Sequence, residues 1–416
     1  MTWTREQIHV TTASYLGWTL DAFDFFLMVF ILKDIAAEFH APLPSVALAI
    51  TLTLAMRPVG ALIFGRLADR FGRRPTMMAN ILCYAVLELL SGFSPNLATL
   101  IVLRALFGIA MGGEWGVGSA LTMETVPARS RGFVSGLLQA GYPTGFLLAS
   151  LVFGLFYSHI GWRGMFFVGI LPALLVIYVR SHVPESPAWK QMASQPRPSL
   201  LAGLRQQWKL ALYAVVLMTA FNFFSHGTQD LYPTFLRVQH GFDAHTVSLV
   251  TIVLNIGAIV GGLACGTLSE RIGRRWTIFG AALFALPVLP LWAYSHSAAA
   301  LAAGAFLMQL SVQGAWGVIP VHLNEISPPA LRATFPGLVY QLGNLLASVN
   351  ATMQASLATS RGNDYAFAMA VVAGTVAVVI AGLILFSREH RGVDMGVQAP
   401  LTPASGGGVH PALAHR

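Results

Sequence analysis

The chain has 416 residues, of which 55% are hydrophobic and only 10% charged. Soluble domains carry roughly 25% charged residues, so this composition excludes an ordinary soluble protein and indicates a chain that lies in lipid. The formal charge of +8 does not indicate a nucleic-acid partner, because the basic residues lie in short loops between apolar runs. Only Cys83 and Cys265 occur, both in apolar runs, so neither a disulfide framework nor a metal site is expected, and no cofactor.

Twelve runs are long and apolar enough to cross a bilayer, since a spanning helix needs about 20 mostly apolar residues. In chain order they cover 12–36, 45–68, 76–94, 97–123, 132–157, 163–181, 209–237, 246–269, 276–295, 299–323, 332–358 and 365–387. The first run carries Asp21 and Asp24 and is too long for a signal peptide, so we expect a retained helix. The predicted fold class is therefore an all-α membrane protein with twelve transmembrane helices.

The stretch 183–208 is the longest polar interruption and divides the helices into six and six. We expect an N-terminal six-helix bundle over 1–182, a cytoplasmic linker over 183–208 and a C-terminal six-helix bundle over 209–391. Residues 392–416 contain many Gly and Pro and lack an apolar period. This composition predicts a disordered tail.

The positions of Lys and Arg predict the orientation. If both termini are cytoplasmic, nineteen of the 25 Lys and Arg residues fall in cytoplasmic segments and four in outer segments, while Arg57 and Arg104 lie within helices. This bias follows the positive-inside rule. We therefore expect a multi-pass protein of the plasma membrane, a bacterial inner membrane, with both termini in the cytoplasm. The expected partners are lipid and small solutes, and the expected oligomeric state is a monomer.

The second half of the chain repeats the first at a constant offset of 201 positions, and Gly65 to Arg74 recurs as Gly266 to Arg275. The same offset relates Trp115 to Trp316, Glu124 to Glu325, Arg131 to Arg332 and Gly136 to Gly337. One shift across several helices predicts two pseudo-symmetric bundles from a duplication. Parallel halves around a site near the midplane are typical of alternating-access carriers.

The run 65–74 places a glycine, an acid, a second glycine and paired basic residues between the second and third predicted helices. It resembles the hallmark loop of the major facilitator superfamily, and 266–275 echoes it. Arg104 followed by Gly108 and Gly112 also fits the family pattern. The resemblance covers 12–390 and implies the major facilitator fold and transport. The alternative, an intramembrane enzyme, lacks a nucleophile, zinc-protease or phosphate-loop motif.

In the major facilitator pattern, acidic residues at the ends of helices face arginines of the neighbouring loops. The resemblance implies a latch between the bundles that separates when the carrier opens inward. The candidate latch residues are Asp69, Arg70, Arg73, Arg74, Glu124, Arg131, Glu270, Arg271, Arg274, Arg275, Glu325 and Arg332. The alternative is that these charges only fix the topology.

The segment 222–234 narrows the resemblance within the superfamily. It is similar to the signature of the lactate and pyruvate permeases in the sialate:proton symporter family, and its specified positions Asn222, Ser225, His226, Thr228, Gln229, Asp230 and Thr234 all match. The run 17–26 also resembles this family, although aromatic-acid symporters share its spaced acids. The resemblance implies a proton-coupled symporter of small monocarboxylates such as lactate and pyruvate. The alternative is a symporter of sialate or an aromatic acid.

Charged side chains inside the hydrocarbon region are costly, so they indicate functional positions. His226 and Asp230 are one helical turn apart, and imidazole titrates near neutral pH, which predicts proton exchange with a substrate. The alternative is a hydrogen-bond network that packs helices together. The candidate proton-coupling residues are Asp21, Asp24, Arg104, Glu114, His226 and Asp230. Glu88 is expected at the periphery.

A carboxylate substrate needs a cation in place of water, and guanidinium binds carboxylate in a bidentate manner. Arg57 lies about halfway along the second predicted helix and is the candidate anchor. Asp24 lies at a similar depth, so the alternative is a permanent Arg57–Asp24 ion pair. The candidate substrate-binding residues are Arg57, Tyr142, Asn222, His226, Gln229, Tyr340, Gln341 and Asn344.

Overall fold

The computed structural model describes residues 3–192, 203 and 205–395, and every regular element in these ranges is helical. The first half contains α1 (Arg5–Glu38), α2 (Leu43–Phe71), α3 (Arg73–Gly92), α4 (Leu97–Thr125), α5 (Arg131–Val168) and α6 (Pro172–His182), followed by the short α7 (Pro187–Met192). The second half contains α8 (Trp208–Gln229), α9 (Tyr232–Val238), α10 (Ala244–Ile272), α11 (Arg274–Ala293), α12 (Ala298–Gly317), α13 (Ile319–Ile326), α14 (Thr334–Ala347), α15 (Asn350–Ser360) and α16 (Tyr365–Phe386). Residues 193–202 and 204 of the predicted linker, and the tail from 396 onward, lie outside these residues.

Several predicted spans are interrupted rather than continuous. Helices α8 and α9 separate just before Pro233, and α12 and α13 separate just before Pro320. Proline cannot donate the backbone hydrogen bond that would continue a helix. Conversely, α5 runs across the boundary expected between the fifth and sixth spans, with a kink at Gly161, whose φ is 63°. This left-handed conformation suits glycine because glycine has no Cβ.

Nine helical stretches of the described residues are long and apolar enough to cross a membrane. The stretch Ala128–His182 contains two of the predicted spans. Helix α1 carries several charged residues, and the eleventh predicted span is divided into α14 and α15 after Ala347. With these two additions, the helices account for all twelve predicted spans.

Large apolar side chains cover the outside of both bundles. Leu174 is 62% exposed, Ile177 67% and Phe386 85%. Soluble proteins rarely expose apolar surface so extensively, whereas acyl chains solvate it. The outer surface therefore fits a lipid environment.

The two halves repeat the same helix packing in three dimensions. A Cβ added to Gly60 in α2 would lie 1.7 Å from the carbonyl oxygen of Ile109 in α4. A Cβ added to Gly261 in α10 would lie 2.4 Å from the carbonyl oxygen of Leu310 in α12. Both glycines permit a helix contact that a larger residue would block. Since each pair is related by the offset of 201, the duplication predicted from the sequence extends to the packing.

The halves meet where α2 packs against α14 and α5 against α10. A Cβ on Gly136 would lie 2.2 Å from the carbonyl oxygen of Gly262, and one on Gly266 would lie 2.4 Å from that of Gly132. The backbones of α5 and α10 therefore touch directly. This contact lies at the end of the molecule that carries the loops within 65–74 and 266–275, which we call the arginine-rich end.

Candidate functional site

Arg57 lies in α2 and is 2% exposed. Its guanidinium carbon is 6.0 Å from the centre of the Trp18 ring of α1 and 5.8 Å from that of Tyr340 of α14. Its Nε and Nη2 atoms have no hydrogen-bond partner among the described residues. A buried guanidinium with open donors is poised for an anion. The candidate anchor thus lies between elements of both halves and does not face lipid.

The alternative of an ion pair between Arg57 and Asp24 is wrong for this conformation. Arg57 makes no ion pair within 4.0 Å in the part of the chain that the structure describes. The reason is that Asp24 Oδ1 lies beside Glu88 Cγ, next to Gly169, and Glu88 is paired with Arg104. Arg57 and Asp24 have a similar predicted depth in the membrane, but their side chains do not face each other across α1 and α2.

His226 and Asp230 form the hydrogen-bonded pair expected from their spacing. His226 Nδ1 lies 3.2 Å from Asp230 Oδ2, and His226 Nε2 lies 3.1 Å from Asn344 Oδ1 in α14. His226 lies in the last turn of α8 and Asp230 directly follows its last residue, at the break before Pro233. Their side chains are 32% and 40% exposed, so the protein does not fully enclose the pair. A partly hydrated imidazole–carboxylate pair is able to take up and release a proton.

The anchor and this pair belong to one neighbourhood. Tyr340, whose ring lies near Arg57, and Asn344, which contacts His226, are one turn apart in α14. The Trp18 ring lies near Arg57 as well and 5.6 Å from the Tyr142 ring. The structure thus brings together Arg57, Tyr142, Tyr340 and the His226–Asp230 pair from both halves of the chain. We call this group the central site.

Asn222 and Gln229, two candidate substrate ligands, already have protein partners. The Asn222 amide donates to the Met218 carbonyl of its own helix at 2.8 Å. Gln229 Nε2 donates to Gln309 Oε1 of α12 at 2.7 Å. These contacts favour the alternative of a packing network for both residues. By contrast, Gln341 is 1% exposed, and neither of its amide atoms has a hydrogen-bond partner among the described residues.

Three tryptophans contribute to the central site although the sequence did not indicate them. The Trp18 ring lies 5.6 Å from Tyr142, and Tyr340 lies between Trp115 at 4.9 Å and Trp316 at 5.4 Å. The recurrence of Trp115 as Trp316 was the available signal, because both copies pack on the same tyrosine.

The interior of the first half contains a second group of charges. Asp21, Asp24 and Glu114 are at most 1% exposed, and none of their carboxylate oxygens has a hydrogen-bond partner among the described residues. Arg104 Nη2 donates to Glu88 Oε2 at 2.6 Å. The expectation that Glu88 is peripheral is therefore wrong, because its carboxylate forms a buried ion pair with a residue predicted to couple protons.

At the arginine-rich end, each half contains the same buried ion pair. Arg73 donates to Glu124 at 2.9 and 3.0 Å, and Arg274 donates to Glu325 at 3.1 and 3.2 Å. Both pairs join residues of one half, so they do not bridge the bundles as the latch hypothesis expected. Arg74 and Arg275 likewise donate to carbonyls within their own halves. The bidentate pairs therefore brace each bundle internally.

The acids of the two loops make the contacts that cross between the halves. Asp69 accepts hydrogen bonds from the backbone amides of Ala333 and Thr334, both at 3.1 Å. Glu270 accepts a hydrogen bond from the Gly132 amide. Carboxylates that bind backbone amides thus contribute to a latch between the bundles, whereas the Arg73–Glu124 and Arg274–Glu325 pairs do not. Of the remaining candidates, Arg332 approaches Glu124 across the interface at 4.0 Å.

The linker also contacts this end. The Glu185 carboxylate accepts hydrogen bonds from the amides of Arg73 at 2.9 Å and Arg74 at 3.2 Å. Burial raises the pKa of Glu185, although these amides and that of Ser186 favour its charged form. The start of the predicted linker is therefore fixed against the first bundle.

The first four residues of the predicted tail, 392–395, contact both halves of the chain. Arg131 Nη1 donates to the Val393 carbonyl at 2.6 Å, and Arg332 Nη1 donates to the Met395 carbonyl at 3.3 Å. Met395 is 2% exposed. The segment 392–395 is held because two arginines related by the repeat, one from each half, bind successive parts of its backbone.

The family model of the Major Facilitator Superfamily matches residues 14–243 and 230–396. A carboxylic acid transporter protein homolog of Saccharomyces cerevisiae is 30% identical over 92% of this chain and 68% of its own length. The sialic acid transporter NanX of Escherichia coli is 29% identical over 80% of this chain and 82% of its own length.

Among solved structures, that of the proton:xylose symporter XylE superposes with a TM-score of 0.77 at 17% identity, over 93% of this chain and 97% of that one. This similarity shows the fold alone and confirms the predicted two-bundle architecture. Together with the family match, it identifies the class of protein. The chain belongs to the major facilitator superfamily and is a multi-pass membrane transporter rather than an enzyme.

Proposed function

We propose that this transporter is a proton-coupled symporter of small organic carboxylates that works by alternating access. The observation that carries the proposal is Arg57, a buried cation with open donors between aromatic rings of both halves. A guanidinium in this setting attracts a carboxylate, because its Nε and Nη2 donors would otherwise remain desolvated without a hydrogen-bond partner. The adjacent His226–Asp230 pair supplies a proton site that is accessible to solvent.

The closed arginine-rich end supports an assignment of the conformational state. We place this end, and both termini, in the cytoplasm of a bacterial cell, because it carries most of the arginines. Since His226 and Asp230 are accessible while the glycine contacts of α5 and α10 close the arginine-rich end, the conformation faces outward. We further propose that the carrier works as a monomer, because each chain contains both halves of the site.

The proposed cycle follows from these positions. Protons bind at His226–Asp230 and at Asp24, and the carboxylate then binds Arg57. The halves rock about the central site, the contacts of Asp69 and Glu270 break, and both ligands leave on the cytoplasmic side. Neutralising the buried charges before the movement lowers the cost of carrying them past a low-dielectric interior.

Lactate and pyruvate are the first candidate substrates, because the segment 222–234 is similar to the lactate and pyruvate permease signature. A larger or aromatic acid is the second candidate. It is favoured by the rings of Trp18 and Tyr340 beside Arg57 and by the relatives named as carboxylic acid and sialic acid transporters. Flat aromatic surfaces suit a conjugated or ring-bearing acid better than a three-carbon one.

Uptake by proteoliposomes tests the proposal. Radiolabelled lactate is expected to accumulate when the outside is acidic, and a protonophore is expected to abolish the accumulation. Lactate entry that ignores the pH gradient would contradict proton coupling. Competition by pyruvate, sialate and benzoate at equal concentration distinguishes the two substrate candidates, because only the preferred class suppresses labelled uptake at low concentration. If no carboxylate competes and none is transported, the substrate class is wrong.

A further inference from the structure

The carboxylate of Glu88 is fully buried in α3 and has one cationic partner, Arg104 of α4. Arg104 Nη2 donates to Glu88 Oε2 at 2.6 Å and to Ser91 Oγ at 2.8 Å. The guanidinium carbon of Arg104 also lies 4.2 Å from the centre of the Phe107 ring. The hydrogen bonds to Glu88 and Ser91 hold the guanidinium against α3.

Asp24 of α1 reaches the same place from the other side. A Cβ added to Gly169, in the turn between α5 and α6, would lie 2.2 Å from Glu88 Cγ and 3.2 Å from Asp24 Oδ1. The two carboxyl side chains therefore converge on one point that only a glycine leaves open. Glu88 and Arg104 are both among the charges that act on Asp24.

Asp24, Glu88 and Arg104 share their hydrogen bonds unequally. Both oxygens of Asp24 and Oε1 of Glu88 have no hydrogen-bond partner in the described ranges, and neither does Nε of Arg104. One arginine neutralises one of two carboxylates, so the other is stable in this dry interior only with a proton. Arg104 thus pairs with Glu88, and Asp24 makes no ion pair within 4.0 Å among the described residues.

We propose that Glu88 is a positioning residue of the transport reaction: it occupies Arg104, and thereby allows Asp24 to bind the transported proton. Without Glu88, Arg104 turns to Asp24 and keeps that carboxylate charged, so Asp24 no longer takes up a proton at ordinary pH. This inference rests on the proposed proton coupling. The step is a reversible proton transfer between solvent and one Asp24 oxygen, with no other bond made or broken.

Other titratable and charged groups face this cluster and are kept constant in the test. They are Asp21 of α1, Arg57 of α2, Tyr84 of α3 and Glu114 of α4. None of them makes an ion pair with Arg104 or Glu88 among the described residues. The ion pair with Arg104 is therefore the difference between the surroundings of the Glu88 and Asp24 carboxylates.

The test compares the pH profile of carboxylate uptake for the unaltered chain, Glu88→Gln and the double variant Glu88→Gln with Arg104→Gln. Glu88→Gln is expected to move the profile by about one pH unit or more toward acid, because a carboxylate beside an arginine holds its charge more strongly. The double variant is expected to return the profile toward its original position, because no cation remains to hold Asp24 charged. Glu88→Asp, which keeps a carboxylate for Arg104, is expected to show a smaller shift than Glu88→Gln.

A purely structural role predicts a different result. In that case both variants lower the amount of folded protein and the maximal rate but leave the pH profile in place, and the inference is overturned. An acid shift in Glu88→Gln that persists in the double variant overturns it equally. If the unaltered chain transports carboxylate without any dependence on the pH gradient, the proposed proton coupling itself fails, which is a distinguishable outcome.

Discussion

The guanidinium carbon of Arg57 lies 5.8 Å from the centre of the Tyr340 ring, so that a cation of the first half faces an aromatic side chain of the second. Tyr340 in turn packs between Trp115 and Trp316, one tryptophan from each half. The anion-binding group is thus built on the interface that alternating access requires to move. A ligand on Arg57 touches both halves and is able to favour one arrangement over another.

Replacement of Arg57 tests the anchor. Arg57→Lys keeps a positive charge but loses the planar pair of donors, so we expect the KM for the carboxylate to rise about tenfold or more, since hydrogen bonds to charged groups are worth about 1.5–3 kcal/mol. Initial rates of uptake at varied substrate concentration measure this change. Arg237→Lys in α9, an exposed arginine, is the matched control and should leave the KM unchanged.

Replacement of Asp230 separates proton coupling from substrate movement. In Asp230→Asn, His226 loses its carboxylate partner, so accumulation driven by an acidic exterior should fall by about tenfold. Exchange of labelled for unlabelled substrate across the membrane should continue, because it needs no net proton movement. Equal loss of both activities would argue for a structural role. His159→Gln, an exposed histidine of α5, serves as the control.

The contacts of Asp69 predict an asymmetric latch. The Asp69 side chain is 2% exposed and accepts from two backbone amides of the other half, whereas that of Glu270 is 16% exposed and accepts from the Gly132 amide. We expect Asp69→Asn to open the arginine-rich end more than Glu270→Gln does, because buried hydrogen bonds to a charged group contribute more.

A single-cysteine reporter measures this opening. Ser119 is 3% exposed and accepts a hydrogen bond from Asn324 across the interface at 3.2 Å. Ser119→Cys, in a chain with Cys83 and Cys265 replaced by serine, should react with a maleimide about tenfold faster in Asp69→Asn, and less so in Glu270→Gln. Equal labelling of the two variants would contradict the asymmetry.

The close contact of α5 and α10 predicts a position-specific effect of adding one methyl group. Gly136→Ala would place a Cβ 2.2 Å from the Gly262 carbonyl oxygen, so it should force the halves apart and reduce transport severalfold. Gly154→Ala, on the same helix, has no atom within 4 Å of the new Cβ and is the matched control. Transport rates normalised to the amount of folded protein report the difference.

Two truncations test the role of the segment 392–395. A chain that ends at Met395 keeps the carbonyls that Arg131 and Arg332 bind, whereas a chain that ends at Arg391 loses them. We expect only the shorter chain to show faster labelling of the Ser119→Cys reporter, because one brace between the halves is lost. Identical labelling of both chains would show that the segment does not hold the halves together.

The sequence by itself determined the class and the overall architecture. Hydrophobic runs of spanning length leave few options in lipid, because backbone groups there must be paired within a helix. The constant offset of 201 residues predicted two equivalent bundles, and the contacts Gly60–Ile109 and Gly261–Leu310 repeat at that offset. The spacing of His226 and Asp230 likewise fixed their contact, since it depends only on the pitch of one helix.

Only the tertiary structure decided which charges meet between helices. The sequence suggested Arg57 with Asp24, whereas Asp24 faces Glu88 and Arg104, and it suggested arginines as the bridge, whereas Asp69 binds backbone amides of the other half. Depth in a membrane follows from position along one helix, but the partner of a side chain depends on how neighbouring helices are rotated and packed. That rotation is set by close glycine contacts among helices distant in sequence, so no local pattern contains it.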